Sequence, residues 1–176
     1  MRRDVSCRKI LFCAFICLIG WSLQAQAGEA RHINFAAFQK NQPGFEFDPI
    51  VAGKFSDFIQ AMEGAQILIL SHTSDAVDGD VLNFQQDVLR EGKEGMVDNG
   101  INCSLTLRIE GEGSSPEYTI GGLCRIFRGG SSAQKITAII PPASLPDTAQ
   151  GFDGWIELYE DQKNGIAFYA NVSTGH

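Results

Sequence analysis

The side chains best suited to chemistry in this sequence are three histidines, five cysteines and the short run around His72. Ser71, His72 and Asp75 are the residue types of a nucleophile, a base and an orienting acid. Adjacent side chains on an extended chain point to opposite faces, so Ser71 and His72 cannot converge on one substrate. A hydrolase that uses His72 with nearby acids is therefore the least favoured hypothesis, and a loop histidine without a catalytic role is preferred.

Acidic and glycine-rich segments give no better candidate for a catalytic or cofactor site. Asp75, Asp78 and Asp80 lack the alternate-position spacing of a calcium loop and its late bidentate glutamate, so a solvated turn is preferred over a calcium site. The Gly111-Glu112-Gly113 segment carries an acid where a dinucleotide pyrophosphate would bind. The sequence predicts no enzymatic activity, no metal and no cofactor.

The amino terminus has the pattern of an export signal. Four basic residues precede an apolar run over 10–20, and Ala25-Gln26-Ala27 follows. The run is shorter than the roughly 20 residues that cross a bilayer. We therefore predict a signal peptide over 1–27, cleaved after Ala27, and a periplasmic single domain over 28–176 without a membrane span.

Charge restricts the partners of the predicted mature domain. Residues 28–176 keep 10 of the 14 basic and 20 of the 21 acidic residues, which gives a net charge of −10. Such a surface repels the phosphates of nucleic acids and attracts basic proteins. The sequence therefore predicts a basic protein partner and no nucleic acid.

Cys103 and Cys124 are the two cysteines outside the predicted signal peptide. In an oxidising compartment we expect them to form a disulfide, with a free reactive thiol as the alternative. Closing a loop of about 20 residues stabilises a fold by roughly 3 kcal/mol.

Alternating apolar residues predict a β-hairpin around this cysteine pair. Residues 101–109 alternate strictly, and residues 118–127 form a second strand with Cys124 on its apolar face. One register sets Cys103 against Cys124 and also Ile101 against Ile126, Leu107 against Ile120 and Ile109 against Tyr118.

The remaining elements complete a mainly β fold. We predict an antiparallel β-sandwich or curled sheet with one or two short helices. The elements are short extended pieces over 28–53, a helix over 56–63 capped by Ser56, a strand over 66–71 buried on both faces, a strand rather than a helix over 81–89, a turn over 92–100, a strand over 135–140 ended by Pro141-Pro142, and a hairpin of 155–159 with 166–170.

The connection between the cysteine-bearing strands, residues 110–117, is the most distinctive loop. Gly111 and Gly113 give a slim backbone, Ser114 and Ser115 offer small hydroxyls, and Pro116 stiffens the exit. A disulfide joining the same strands would hold a protruding tip in place and so lower the ordering cost of binding. The alternative is a solvated loop that only reverses the chain.

The layout of the mature chain, and above all the Ser114-Ser115 hairpin, resembles the periplasmic immunity proteins that neutralise amidase effectors of type VI secretion systems. The resemblance implies a β-rich inhibitor that inserts a serine-bearing loop into the active site of a cysteine amidase toxin, and the acidic charge of the chain predicts that this toxin is basic. On this chain Ser114 and Ser115 would engage the toxin's Cys-His centre. Gly111 and Gly113, with Glu112 between them, would allow close backbone approach.

Two alternatives stay open at this point. Ser131-Ser132, after Gly129-Gly130, is a second serine pair that competes for the inhibitory role. The same β domain also suits an accessory or assembly factor of an envelope secretion complex, which would use a different surface.

Overall fold

The computed structural model describes residues 31–92, 95–111, 116–129, 134–146 and 154–174. Within these ranges the chain forms nine strands and one helix. They are β1 (Arg31–Lys40), β2 (Ile50–Ala52), α1 (Phe55–Ala61), β3 (Ala65–Thr73), β4 (Val81–Gly92), β5 (Gly95–Glu110), β6 (Glu117–Arg128), β7 (Gln134–Leu145), β8 (Gly154–Asp161) and β9 (Ile166–Thr174).

The strands form two antiparallel sheets. One has five strands in the order β2-β8-β9-β1-β3, and the other has four in the order β4-β5-β6-β7. The predicted fold class, a mainly β protein with two packed or curled sheets and few helices, is confirmed. The strand preference over 81–89 and the closing hairpin, now β8 and β9, are confirmed as well.

The main core lies between the two sheets. Phe35 of the first sheet stacks on Phe84 of the second, with ring centroids 4.9 Å apart. Inward residues at alternate positions of β5 and β6 are buried against them, including both cysteines. Alternation along each strand therefore places one face of each sheet in a shared apolar interior.

A second, smaller core lies on the opposite face of the five-stranded sheet, beneath α1. Phe58 of the helix is fully buried and stacks on Trp155, with centroids 4.2 Å apart and planes 3° from parallel. Phe38 and Tyr169 meet Phe58 edge-on. Replacing Phe58 with alanine would cost about 3–5 kcal/mol, the usual effect of removing a buried aromatic ring.

The prediction that residues 66–71 are buried on both faces is wrong. β3 is the last strand of its sheet, and Ile67 and Leu70 are 46% and 38% exposed. The second core draws on β1, β2, β8, β9 and α1, and only Ala65 of β3 packs against it. The cover over the outer face therefore stops short of β3.

The predicted turn over 92–100 is too long, because β4 and β5 are antiparallel and pair as far as Gly92 and Gly95, which leaves only the start of that range for the chain reversal. The Asn99-Gly100 pair lies inside β5, opposite Val88 and Asp87. Cross-strand pairing overrode a local turn signal there.

Pro141-Pro142 does not end its strand, contrary to the prediction, since β7 continues to Leu145. β7 is an edge strand, and both prolines fall at an irregularity where they have no partner in the register with β6, a position that tolerates a residue without an N–H. Its partner β6 shifts register between Ile120 and Gly122. A Cβ on Gly121 would come within 2.8 Å of the Pro142 nitrogen, so a glycine lets the two strands approach.

The predicted helix over 56–63 is present but begins one residue earlier, and Ser56 does not cap it. Lys54 occupies the N-cap position, and the Asp57 carboxylate accepts a hydrogen bond from the Lys54 backbone N–H at 2.9 Å. The acidic first turn thus supplies the cap that was assigned to the serine.

Candidate functional site

The cysteine-bearing hairpin has the predicted register. Cys103 faces Cys124, Ile101 faces Ile126, and the pairing continues to Glu110 and Glu117. Cys103 and Cys124 form a disulfide with their Cα atoms 4.0 Å apart, and both side chains are fully buried in the main core. The predicted disulfide is therefore present.

Neighbouring segments hold the far end of this hairpin on both sides. The loop before β4 bonds to β5, with Leu107 donating to the Asp80 carbonyl at 2.9 Å and Ile109 donating to the Asp78 carboxylate at 2.9 Å. On the other side, β7 reaches Leu145, which pairs with Tyr118.

These flanking contacts lie closer to the loop than the disulfide does. The disulfide lies seven residues from Glu110, a distance of about 23 Å along a strand. The contacts next to the loop, rather than the disulfide, therefore fix the strand ends from which it emerges. The described part of the hairpin is flanked on both sides up to the Ile109–Tyr118 pair.

Of the predicted binding residues, the structure describes Gly111, whose φ of 92° suits a glycine at the strand exit. Glu112, Gly113, Ser114 and Ser115 lie outside the described residues. The competing pair Ser131-Ser132 lies outside them too.

The acidic residues around Gly79 have structural partners. Asp78 accepts the Ile109 amide, and the Asp80 carboxylate accepts the Val77 amide at 2.9 Å. In the part of the chain that the structure describes, no group of three or more His, Cys, Asp or Glu side chains is arranged to hold a metal ion.

His72 belongs to a groove that the sequence reasoning missed. The register pairs Ser71 with Phe35 and His72 with Asn34, so the two side chains leave β3 on opposite faces, as predicted. The groove lies beside α1 on the outer face of the five-stranded sheet. It has a volume of about 470 Å³ and is lined by Asn34, Gly53, Phe55, Leu70, Ser71, His72, Trp155 and Asn171.

Two asparagines bond to each other on the floor of this groove. Asn34 and Asn171 are cross-strand partners in β1 and β9. The Asn34 side-chain NH₂ donates to Asn171 Oδ1 at 2.6 Å and to Ser173 Oγ at 3.1 Å. A polar Asn34 between the buried Ile33 and Phe35 was the available sequence signal, because alternation puts it on the outer face.

A partly buried group of ionisable side chains lies on the same sheet. Burial, with a smaller contribution from nearby Glu160, raises the pKa of Glu157. The Tyr169 hydroxyl donates to the Asp48 carbonyl at 2.7 Å, and burial raises the pKa of Tyr169. Lys40 forms a 2.8 Å ion pair with Glu160. These contacts tie β1, β8 and β9 to the segment before β2.

The fold and these surfaces define an antiparallel two-sheet domain with a disulfide in its core. No helix among the described residues has the length and apolar character needed to span a membrane. Comparison with known proteins found no matching family model, curated protein or solved structure.

Proposed function

We propose that this chain is an exported immunity protein that binds a cell-wall-degrading cysteine amidase and occludes its active site with the loop 111–116. One observation carries the proposal. β5 and β6 stay paired through Glu110 and Glu117, so both ends of this short connection are fixed at the rim of the sandwich.

The rim contacts explain how such a loop would bind with little ordering cost. Ile109 is tied to Asp78, and Ser144 of β7 donates to the Glu117 carboxylate at 2.9 Å. Fixed loop ends lose less conformational entropy when the loop enters a groove. The glycines and small serines suit a narrow cleft, and the acidic chain suits a basic toxin.

The test uses cysteine amidases from the organism that encodes this chain, assayed on purified peptidoglycan. Equimolar chain should abolish hydrolysis by one of them. A Ser114→Glu, Ser115→Glu variant should raise the inhibition constant at least about tenfold, which corresponds to about 1.4 kcal/mol. Its unfolding free energy should change by only about 0.5 kcal/mol, as for other exposed loop changes.

The second serine pair supplies the matched control. Ser131→Glu with Ser132→Glu adds the same charge in a similar Gly-Gly-Ser-Ser segment, and it should leave inhibition unchanged. Full inhibition by the 114/115 variant would rule out the loop as the plug. Loss of inhibition in the 131/132 variant alone would transfer the role to that segment.

The position of β3 at the edge of its sheet favours the second candidate, an accessory factor of an envelope secretion complex. β3 pairs with β1 alone among the described strands, so its backbone could bond to an added strand, and the exposed Ile67 and Leu70 could contact that partner. Ile67→Lys with Leu70→Lys should abolish co-purification with a membrane complex under this candidate. The same variant should leave amidase inhibition intact under the first.

A further inference from the structure

The groove beside α1 combines aromatic and amide side chains without a fixed charge. Phe55 and Trp155 line one part of it, and Asn34, Asn171 and His72 line another. Among the described residues that line the groove there is no Asp, Glu, Lys or Arg, although a fifth of the chain is charged. This lining suits a neutral ligand with one apolar face and several hydrogen-bonding groups.

The amide pair offers a defined hydrogen-bonding pattern. Both protons of the Asn34 NH₂ are used, one by Asn171 Oδ1 and one by Ser173 Oγ. An asparagine side chain carries two donor protons and two acceptor lone pairs. Within the described parts of the chain, Asn34 Oδ1 is therefore left to accept and Asn171 Nδ2 to donate, and the bond between the two amides restrains both side chains.

We propose that this groove is a binding site for a neutral saccharide. Adjacent hydroxyls of a sugar ring match the amide pair, because one hydroxyl donates to Asn34 Oδ1 while the next accepts from Asn171 Nδ2. Phe55, which is 51% exposed, offers its ring to the C–H face of the sugar. His72 is exposed on the same face of the sheet and adds a third polar contact at the rim.

The dimensions and the rigidity of the site support a small ligand. A volume of about 470 Å³ falls within the roughly 300–1,000 Å³ of small-molecule pockets. Trp155 is held by its stack on the buried Phe58, and the asparagines sit in the two central strands β1 and β9. The walls are therefore formed before a ligand arrives, which lowers the cost of binding.

This site is separate from the loop 111–116, and the inference does not rest on the proposed function. β5 and β6 belong to the four-stranded sheet, whereas the groove lies on the outer face of the other sheet. Saccharide binding and toxin inhibition can therefore succeed or fail independently.

Trp155 provides a direct readout. The sequence holds two tryptophans, Trp21 and Trp155, so the chain that starts at residue 28 has Trp155 as its sole fluorophore of this type. Titration with glucose, N-acetylglucosamine and their β1,4-linked disaccharides should give a saturable change in tryptophan fluorescence for at least one sugar. We expect a dissociation constant of about 0.1–10 mM, the range of a few hydrogen bonds and one stacked ring. Glucose 6-phosphate and glucuronate should bind more weakly than their neutral counterparts.

Two variants and one control locate the site. Phe55→Ala removes the exposed ring, and Asn171→Asp replaces the donor with an acceptor while keeping Oδ1 for Asn34. Each should raise the dissociation constant by about three- to tenfold, the effect of one neutral hydrogen bond or contact. Ile139→Ala removes an apolar side chain that is 71% exposed on β7 of the other sheet, and it should change nothing.

Chemical shifts check that the variants stay folded. The amide signals of β5 and β6 should keep their positions in each variant, because those strands do not line the groove. Absence of a saturable response to every neutral sugar at about 100 mM would overturn the proposal. Equal binding of the charged sugars, or binding by folded Phe55→Ala and Asn171→Asp proteins at the original strength, would overturn it as well.

Discussion

Removing the Cys103–Cys124 disulfide separates two effects that the cross-link could have, stabilising the fold and holding the ends of the loop 111–116. The sequence separation of 21 residues corresponds to a loop-closure term of about 3 kcal/mol. Both sulfurs are buried in the main core, so a Cys103→Ala, Cys124→Ala variant also loses packing worth about 1 kcal/mol. We expect a total loss of about 4 kcal/mol, which leaves most domains folded at room temperature.

Urea unfolding followed by Trp155 fluorescence measures this loss, since Trp155 is buried and stacked on Phe58. With a slope of about 2 kcal/mol per molar urea, the midpoint should fall by about 2 M. Ile140→Val is the control for lost packing without loss of a cross-link, because Ile140 is buried in the same core. It should cost about 0.5–1.5 kcal/mol.

Hydrogen exchange distinguishes the two effects. For amides that exchange through global unfolding, the free energy of exchange should fall by the full loss in stability, so they should exchange faster. The Ile109 amide opens locally, so its exchange rate should not change. Ile109 is held by Asp78, about six residues beyond Cys103 along β5. A double variant within about 1 kcal/mol of Ile140→Val would refute the cross-link estimate. Faster exchange of Ile109 in a still-folded variant would refute the conclusion that the rim contacts hold the loop ends.

Two further predictions concern the interior. Gly122→Ala should destabilise the domain by about 1–3 kcal/mol, the usual effect of overpacking. The reason is that the new Cβ would meet the Ser104 carbonyl and lie 2.9 Å from Leu105 Cα. A melting temperature within about 1 °C of the wild type would contradict this prediction. Glu157 has a pKa raised above 4.5 in the folded state, so the native state binds its proton more tightly than the unfolded chain does. The stability that this proton contributes is complete below about pH 4.5 and is lost as the pH rises through the folded-state pKa. The unfolding free energy of the wild type should therefore fall relative to that of Glu157→Gln as pH rises from about 4 to 8, and parallel pH profiles would contradict the assignment.

The β5–β6 hairpin could be predicted in detail because two independent signals agreed. Strict alternation fixed which side chains face inward, the cysteines fixed one pair, and every other apolar pair then followed. A slip of one residue would have exposed a whole apolar face, so the register had no close competitor.

Residues 66–71 show why burial is harder to predict than strand formation. A continuous aliphatic run is typical of a strand covered on both faces, and the run does form β3. Whether a strand ends up central or at an edge depends on the order of strands from the whole chain. That order places β3 at the edge of the sheet, beside β1, where α1 does not cover it. Ile67 and Leu70 are therefore exposed.

The groove beside α1 was missed for the same physical reason. Its polar floor joins Asn34 and Asn171, which lie 137 residues apart in the sequence, and its aromatic wall comes from α1 and β8. Local sequence patterns do not predict such long-range contacts. Alternation does predict that each asparagine is a polar residue on the outer face of its strand. The outer face of β1 changes from the apolar Phe38 and Ala36 to the polar Asn34, so the smaller core ends there and the partly buried amides of Asn34 and Asn171 line the groove instead. The boundary of the smaller core thus determines where the domain presents a binding groove.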